Sequence, residues 1–406
     1  MKVILDGAYG FDNVGDEAML HTAINLLRNE KPNVEINVSS FQPEKIKSFH
    51  GVKGVSHLLP GTLLRNIKNL KFRNILEQLD FIRSSDVLLF AGGSILHDKK
   101  GLRDIIVIFY KVLLFRVFGK KVVFWGVAHD QMKSIVAKLL FKCVVSMASL
   151  IVFRDKMSAD LVAQSMGPSK YVDSGVDILF GLLPALSPLA NTEQYKKAES
   201  PCRIGLSLRP YPPNIGFDLE ALDEALCEQI AKYVEVVSKK IGKPLVIVPL
   251  IFSEGDAARN DKEIISRVEL KLKGFEFEWS SLDVSACNNA GFGNMLNEYC
   301  ENISGLDFVI GERFHSLVLS QILAVPYISI SYDKKIDELV KLVEMESYSL
   351  NLLESIKNNS IGSELVVMTE SLLLNRPKLI QNMAKNNDAL MLMSKEDQLS
   401  VFSALS

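Results

Sequence analysis

A chain of 406 residues is long enough for two domains with full hydrophobic cores. Its 46 Lys and Arg against 48 Asp and Glu leave a net charge of -2, which argues against a nucleic-acid partner. The five cysteines, Cys143, Cys202, Cys227, Cys287 and Cys300, form no CxxC pair and have no His at metal-ligand spacing. The sequence therefore predicts a reducing, cytoplasmic setting with no zinc site; no cluster of Asp, Glu and His has metal-ligand spacing either, and no metal or cofactor is expected.

Lys2–Leu5 reads as a short buried strand, and MKVILDGAYG has no signal-peptide form. GAYGFDNVGDEAML, Gly7–Leu20, follows and leads into a helix to about Arg28. Gly7, Gly10 and Gly15 permit tight turns, and Asp16 is a candidate cap with Glu17 in the first helical turn. The spacing is neither GxGxxG nor a P-loop, so neither a dinucleotide nor a nucleoside triphosphate follows from it. Two carboxylates at a helix start would repel a phosphate placed there. We therefore read the loop as one that binds hydroxyls, as a sugar requires, with Gly10, Asn13, Gly15, Asp16 and Glu17 as candidate acceptor-binding residues. The alternative is a plain structural turn between strand and helix.

Val34–Phe41 is the next strand, and Ser56–Ile82 mixes helix and loop with Arg65, Lys68, Lys71 and Arg73 at helical spacing. Asp86–Phe90 is a strand that runs into AGGSILHD. There Gly92 and Gly93 let a ligand approach the backbone and Ser94 can hydrogen-bond, so these three join the acceptor-binding set. Lys121–Val127 and Leu150–Phe153 are strands; the second ends at Arg154-Asp155 before a helix with Ser158.

From Lys99 to Lys142, basic residues (Lys99, Lys100, Arg103, Lys111, Arg116, Lys120, Lys121, Lys133, Lys138, Lys142) far outnumber the acidic Asp104 and Asp130. They accompany the most apolar stretches, Ile105–Phe118 and Ile135–Phe153, which are too interrupted by charge to span a membrane. A basic amphipathic surface holds a protein on anionic lipid. The sequence thus predicts reversible contact of the first domain with the inner membrane leaflet. The alternative is a solvated basic face over an ordinary core.

Pro184, Pro188 and Pro201 with polar filler mark Leu183–Arg203 as a linker. A second series follows: strand Cys202–Leu208 ending at Arg209-Pro210, helix Asp218–Ile241, strand Pro244–Ile251, helix Asp256–Leu272, short strand Phe275–Trp279 and helix Met295–Ile303. Asp307–Lys335, DFVIGERFHSLVLSQILAVPYISISYDKK, then reads as strand, turn, helix and strand. Glu312, Arg313 and His315 lie at its turn, and Lys334 and Lys335 follow its second strand. Strands alternate with helices in both halves, so the fold class is α/β: two doubly wound, Rossmann-like domains facing a cleft. The boundaries read as 1–182, a linker 183–203, a second domain 204–375 and C-terminal helices 376–406 packing back on the first domain.

In open α/β sheets ligands bind beyond the carboxyl ends of the strands. Arg313 would supply a planar fork for carboxylate or phosphate and Lys335 a point charge. The helix dipole favours a neutral His315, suited to proton transfer. The alternative is that Arg313 and His315 only cap and solvate a helix end.

GERFHSL followed by VPYISISYDKKI resembles the C-terminal signature of the polysaccharide pyruvyl transferases, roughly G-M-R-x-H-[SA]-L and then G-V-P-x-x-x-I-x-Y-D-x-K. Earlier stretches resemble the same family. GAYGFDNVGDEA is similar to its G-x-Y-G-x-x-N-x-G-D-E-A. AGGSILHD is similar to G-G-G-S-x-x-Q-D, with Ala91 and His97 departing from it. Gly126–Gln131 lacks the usual G-I-G-P. Arg154-Asp155 with Ser158 is similar to R-D-x-x-S, Asp177 stands in a D-P-x-F element with Ile178 in place of Pro, and Arg209-Pro210 ends an S-L-R-P.

This resemblance implies a GT-B-like arrangement with a donor side in the second domain and an acceptor side in the first. It implies transfer of the pyruvyl group of phosphoenolpyruvate to a sugar of a cell-surface polysaccharide or its lipid-linked precursor, giving a ketal and phosphate. The donor is a dense anion that needs several fixed cations; the implied set is Arg154, Arg209, Arg313 and Lys335, with Lys334 facing solvent. His315 would carry a proton to the donor's methylene carbon, with Arg313 beside it. His97 and His129 lie on cleft-facing turns, and His21, His50 and His57 read as incidental. Two other classes stay open. A GT-B glycosyltransferase using a sugar nucleotide would want an acidic residue to grip ribose at the second domain's rim. A non-catalytic scaffold protein would have no need of Arg313 and His315.

Overall fold

A computed structural model describes residues 1–57, 59, 72–99, 101–166, 171–172, 175–190, 200–211, 219–254, 260–279 and 291–406. Arg65, Lys68, Lys71, Lys100, Cys287 and linker residues 191–199 lie outside the described residues, as does the Arg73 side chain.

The first half is built from β1 (Lys2–Asp6), α1 (Val14–Glu30), β2 (Glu35–Ser40), α2 (Pro43–His50), β3 (Lys53–Ser56), α3 (Phe72–Arg83), β4 (Val87–Ala91), β5 (Ser94–Leu96), α4 (Leu102–Val117), β6 (Lys121–His129), α5 (Ile135–Met147), β7 (Leu150–Phe153), α6 (Lys156–Met166) and β8 (Tyr171–Val172). Its strands pair in parallel in the order β3-β2-β1-β4-β6-β7-β8, with β5 added at the end of β6. The second half comprises β9 (Cys202–Ser207), α7 (Leu219–Ile241), β10 (Leu245–Pro249), α8 (Asp261–Lys271), β11 (Glu276–Phe277), α9 (Phe292–Ser304), β12 (Phe308–Gly311), α10 (Phe314–Ile322), β13 (Tyr327–Ser331), α11 (Lys334–Leu342), β14 (Ser349–Asn351), α12 (Leu352–Lys357) and α13 (Ile361–Leu405). These strands are also parallel, in the order β11-β10-β9-β12-β13-β14. The chain is thus two doubly wound α/β units. Both sheets are covered by helices on each face, so their strands read as nearly continuous apolar runs rather than alternating ones.

Strand order reverses between β1 and β4 in the first sheet and between β9 and β12 in the second. Such switch points leave a crevice beyond the strand ends where ligands bind. The loops leaving β1, β4, β9 and β12 carry Gly7–Asn13, Gly92–Gly93, Arg209 and Glu312–Arg313 respectively. The two sheets meet at this level. The Val14 N–H donates to the Phe252 carbonyl at 2.8 Å, and Asn13 forms an antiparallel bridge with Ser253.

α2 and β3 lie in a stretch where periodicity is short and polar, and the sequence reading does not resolve them. β5 forms where a loop is expected, because Ser94 and Leu96 add onto the end of the long β6. The tail is one helix, α13, with Pro377 inside it. It packs on α7 and reaches the first sheet, where the Phe402 and Trp125 rings meet edge-on at 5.9 Å and Asp397 accepts the Val176 N–H at 2.9 Å.

Candidate active site

The first rim is organised by the start of α1. Asn13 caps the helix, its side-chain oxygen accepting the N–H groups of Gly15 at 3.0 Å and Asp16 at 3.3 Å. Glu17 is buried and turned inward. Its carboxylate accepts the Gly10 N–H at 2.7 Å and meets His50 Nε2 at 2.8 Å, so it holds the loop shut rather than facing a ligand. His50, expected to be incidental, is its partner. Gly15 has a steric reason: a β-carbon there would stand inside the His315 ring of the opposite unit. The first turn of α1 therefore lies directly on His315.

The second rim is organised by α10. Arg313 is its N-cap residue, and Arg313 Nε donates to both oxygens of Asp261 at 3.0 and 2.9 Å, with Nη2 on the same carboxylate. Asp261 is fully buried and also accepts the N–H groups of Phe252 and Ser253. Burial pushes its carboxyl up, against the pull of Arg313. Glu312, next in line, is buried and accepts the Arg209 N–H at 2.9 Å; burial pushes it up to about 8.

Arg154 comes from the end of β7. Its Nη1 donates to buried Asp177 at 3.1 Å, its Nη2 to Ser94 Oγ at 2.9 Å, and its guanidinium lies 4.6 Å over the Phe314 ring. Arg209 donates from Nη1 to the Tyr332 hydroxyl at 2.7 Å and stacks 4.9 Å from that ring. The Lys335 ammonium sits 5.9 Å from the Phe314 ring and 5.7 Å from Tyr332, with no carboxylate partner among the described residues. Lys334 is exposed. Sequence reasoning gave Tyr332 no role, although it stands in the I-x-Y-D-x-K pattern. Burial raises its hydroxyl pKa, but Lys335, Arg209 and Arg313 hold it below the ordinary tyrosine value.

These cations act on two proton carriers. Burial, then Arg154, Lys335 and Arg313, keep His315 far below the usual histidine range, and its Nε2 is buried with no hydrogen-bond partner among the described residues. Asp16 is half-buried and makes no side-chain hydrogen bond among the described residues. Burial and then Glu17 push it up to about 7, against Lys335, Arg313 and Arg154.

Two pockets flank the cluster. One, of about 360 Å³, is lined by Arg154, Asp177, Phe314, Lys335, Phe180 and Leu339 among others. The other, of about 500 Å³, is lined on the first unit by Asn13, Asp16, Ser94, Phe11, Phe41 and His57 among others. Arg154 in the first pocket and its partner Ser94 in the second join them. Of the acceptor-binding candidates, Asn13, Asp16 and Ser94 line the second pocket. Gly92 and Gly93 have φ of +76° and +86°, and a β-carbon at Gly92 would strike Met19, so their need for glycine is met by the fold itself. His97 pairs with Asp104 at 3.1 Å, and His129 stacks on Phe141 at 4.0 Å. Among the described residues no group of His, Cys, Asp and Glu could hold a metal ion.

The fold is shared with sugar-handling enzymes. A UDP-N-acetylglucosamine 2-epimerase from Neisseria meningitidis aligns over 99% of this chain and 100% of that chain, with TM-score 0.58 and 13% identity. A sucrose-phosphate synthase from Thermosynechococcus elongatus aligns over 100% of both chains, with TM-score 0.54 and 11% identity. A glycosyltransferase from Rickettsia africae aligns over 100% of this chain and 98% of that chain, with TM-score 0.52 and 10% identity. At such identities the likeness shows a GT-B-type fold alone. No match was found among curated protein sequences. The family profile described as polysaccharide pyruvyl transferase matches residues 13–334, most of the chain, and the chain belongs to that family.

Proposed function

We propose that the protein moves the pyruvyl group of phosphoenolpyruvate onto a sugar of a surface polysaccharide or its lipid-linked precursor. The observation that carries this reading is the meeting of Arg154 with Arg313, His315 and Lys335 beside the Asp16 carboxyl, two rims contributing to one anion-favouring cluster. A donor bearing both carboxylate and phosphate needs such a set. Arg154 and Arg313 are already opposed by Asp177 and Asp261, so they form a rigid frame. Lys335 and Arg209 have no carboxylate partner among the described residues and bring the uncompensated charge.

One sugar hydroxyl adds to C2 of the donor while a proton reaches C3, converting methylene to methyl. A second hydroxyl then displaces phosphate from C2 and closes the ketal. Of the two hydroxyl protons, one ends in the methyl group and one leaves with the phosphate. Asp16, close to half-protonated near neutral pH and facing the acceptor pocket, is suited to take the attacking hydroxyl's proton. Burial and the cations around it hold His315 neutral. The donor's negative charge beside the same cations weakens their hold on the imidazole and lets it carry the proton destined for C3.

A sugar-nucleotide glycosyltransferase is the second reading, favoured by neighbours such as the Neisseria epimerase, whose structure was solved bound to UDP-GlcNAc. Against it, Glu312 at the second rim is 1% exposed and spends its carboxylate on the Arg209 N–H, so it is not offered to a ribose; Glu338, which lines the 360 Å³ pocket, is the carboxylate a ribose would have to use. The test is phosphate release from phosphoenolpyruvate with a panel of synthetic and lipid-linked glycosides, run beside UDP release from UDP-sugars. Glycoside-dependent phosphate supports the first reading; UDP release alone supports the second. We propose a cytoplasmic site of action, beside the inner membrane leaflet where a lipid-linked acceptor is presented.

A further inference from the structure

α4 and α5 pack side by side over the first sheet. They bury Ile105, Ile108, Val112 and Phe115, and Ala137, Phe141, Val144 and Val145, against it. That burial accounts for one side of each helix. The other side is unusually apolar for a surface. Ile135 is 76% exposed, Leu139 59% and Val136 50% on α5, and Val117 is 70% exposed on α4 with Ile106 and Leu113 at 40%. On α5, Ile135, Lys138, Leu139 and Lys142 follow one another at helical spacing on a single exposed stripe. Arg103, Arg116 and Lys133 are exposed around it. The acidic residues of this region are committed elsewhere: Asp104 pairs with His97 at 3.1 Å and Asp130 with Lys99 at 3.1 Å. The face therefore combines aliphatic side chains with positive charge and offers no exposed carboxylate between residues 101 and 149.

We propose that the outer face of α4 and α5 is a docking surface for an anionic lipid bilayer. Aliphatic side chains interleaved with lysines suit this partner, because the aliphatics enter the acyl boundary while the ammonium groups reach back to lipid phosphates. No described helix is long and apolar enough to cross a membrane, so the contact is peripheral and reversible. The surface is continuous with the site. α4 turns Arg103, Val107, Ile108 and Lys111 to the 500 Å³ pocket while Leu102, Ile106 and Val117 face outward. A bilayer held on this face brings the head of a lipid-anchored sugar to that pocket with its lipid still in the leaflet. Only this choice of cargo rests on the function proposed above; the lipid contact itself rests on exposure and charge.

The test is flotation of the full chain with vesicles of phosphatidylglycerol and phosphatidylcholine, beside vesicles of phosphatidylcholine alone, at low and high salt. The protein should float with the anionic vesicles at low salt, and much less with neutral vesicles or at high salt. Lys138→Glu with Lys142→Glu should lower the bound fraction by about tenfold or more, and Ile135→Ser with Leu139→Ser by a similar factor. Leu374→Ser, at a site 83% exposed on α13, should change nothing. All four altered residues of the double variants are exposed, so an unchanged melting temperature separates lost docking from lost folding. Wild-type protein that stays out of the lipid fraction, or double variants that float like wild type, would overturn the proposal. Neither outcome depends on phosphoenolpyruvate turnover.

Discussion

His315 sits where a proton is hardest to hold, under Gly15 and beside Arg154, Lys335 and Arg313. If its imidazole carries the proton, replacing it with Asn keeps a polar side chain of similar reach but removes titration. We expect His315→Asn to lose about 10²–10⁴-fold in turnover with phosphoenolpyruvate affinity largely kept. Near wild-type turnover in steady-state assays would exclude the role. Lys334 and Lys335 make a second contrast one residue apart. Lys335 faces Phe314 and Tyr332 in the cleft, and Lys334 faces solvent. Lys335→Ala should weaken phosphoenolpyruvate binding by about 2 kcal/mol or more, since a clustered anion site loses a cation. Lys334→Ala should be silent in the same calorimetric titration; equal losses would move the site. Glu312 gives a pH signature. Its proton is held to about 8 in the folded chain against 4.5 in the reference state. Between those values the folded state binds the extra proton, so this group makes stability fall as pH rises through that window. Glu312→Gln keeps an oxygen for the Arg209 N–H and cannot ionise. Its melting temperature should exceed wild type at about pH 9 by the equivalent of about 1 kcal/mol or more, and the gap should narrow towards about pH 5.

At the level of elements, the site depends on two helix starts pressed together. α10 is held by its N-cap Arg313 through Asp261, which lies at the start of a different helix, α8. Arg313→Ala would leave that carboxylate buried and unpaired, which typically costs about 3–5 kcal/mol. We expect a marked drop in melting temperature, and recovery of stability but not activity in Arg313→Ala with Asp261→Asn. If Arg313→Ala leaves the melting temperature unchanged, the ion pair is not a structural support. The strand and helix of each rim were legible from apolar runs and their punctuation, because βα units have strong periodicity. Arg154, Arg313, His315 and Lys335 were legible as polar residues at the ends of such runs. Their fixing was not. Asp177 and Asp261 are 23 and 52 positions from the arginines they hold, and no local spacing encodes those pairs. Glu17 is the converse case: a candidate acceptor-binding residue by sequence, its carboxylate accepts the Gly10 N–H and meets His50. α2, β3 and β5 were missed because each is short enough that tertiary packing, not propensity, decides it.

Across the whole molecule, two doubly wound sheets bring their switch points to one cleft, one unit supplying Asp16 and most of the lining of the 500 Å³ pocket, the other most of the cations. We propose that this cleft turns phosphoenolpyruvate into a ketal. The direct measurement is NMR of the product formed from phosphoenolpyruvate labelled with ¹³C at C2, with the accepted glycoside, in deuterated water. The labelled carbon should become a quaternary ketal carbon joined to two sugar oxygens, carrying a methyl group with one deuterium, as phosphate appears. Labelled carbon that stays in phosphoenolpyruvate or appears only as free pyruvate, across the glycosides tested, would contradict it.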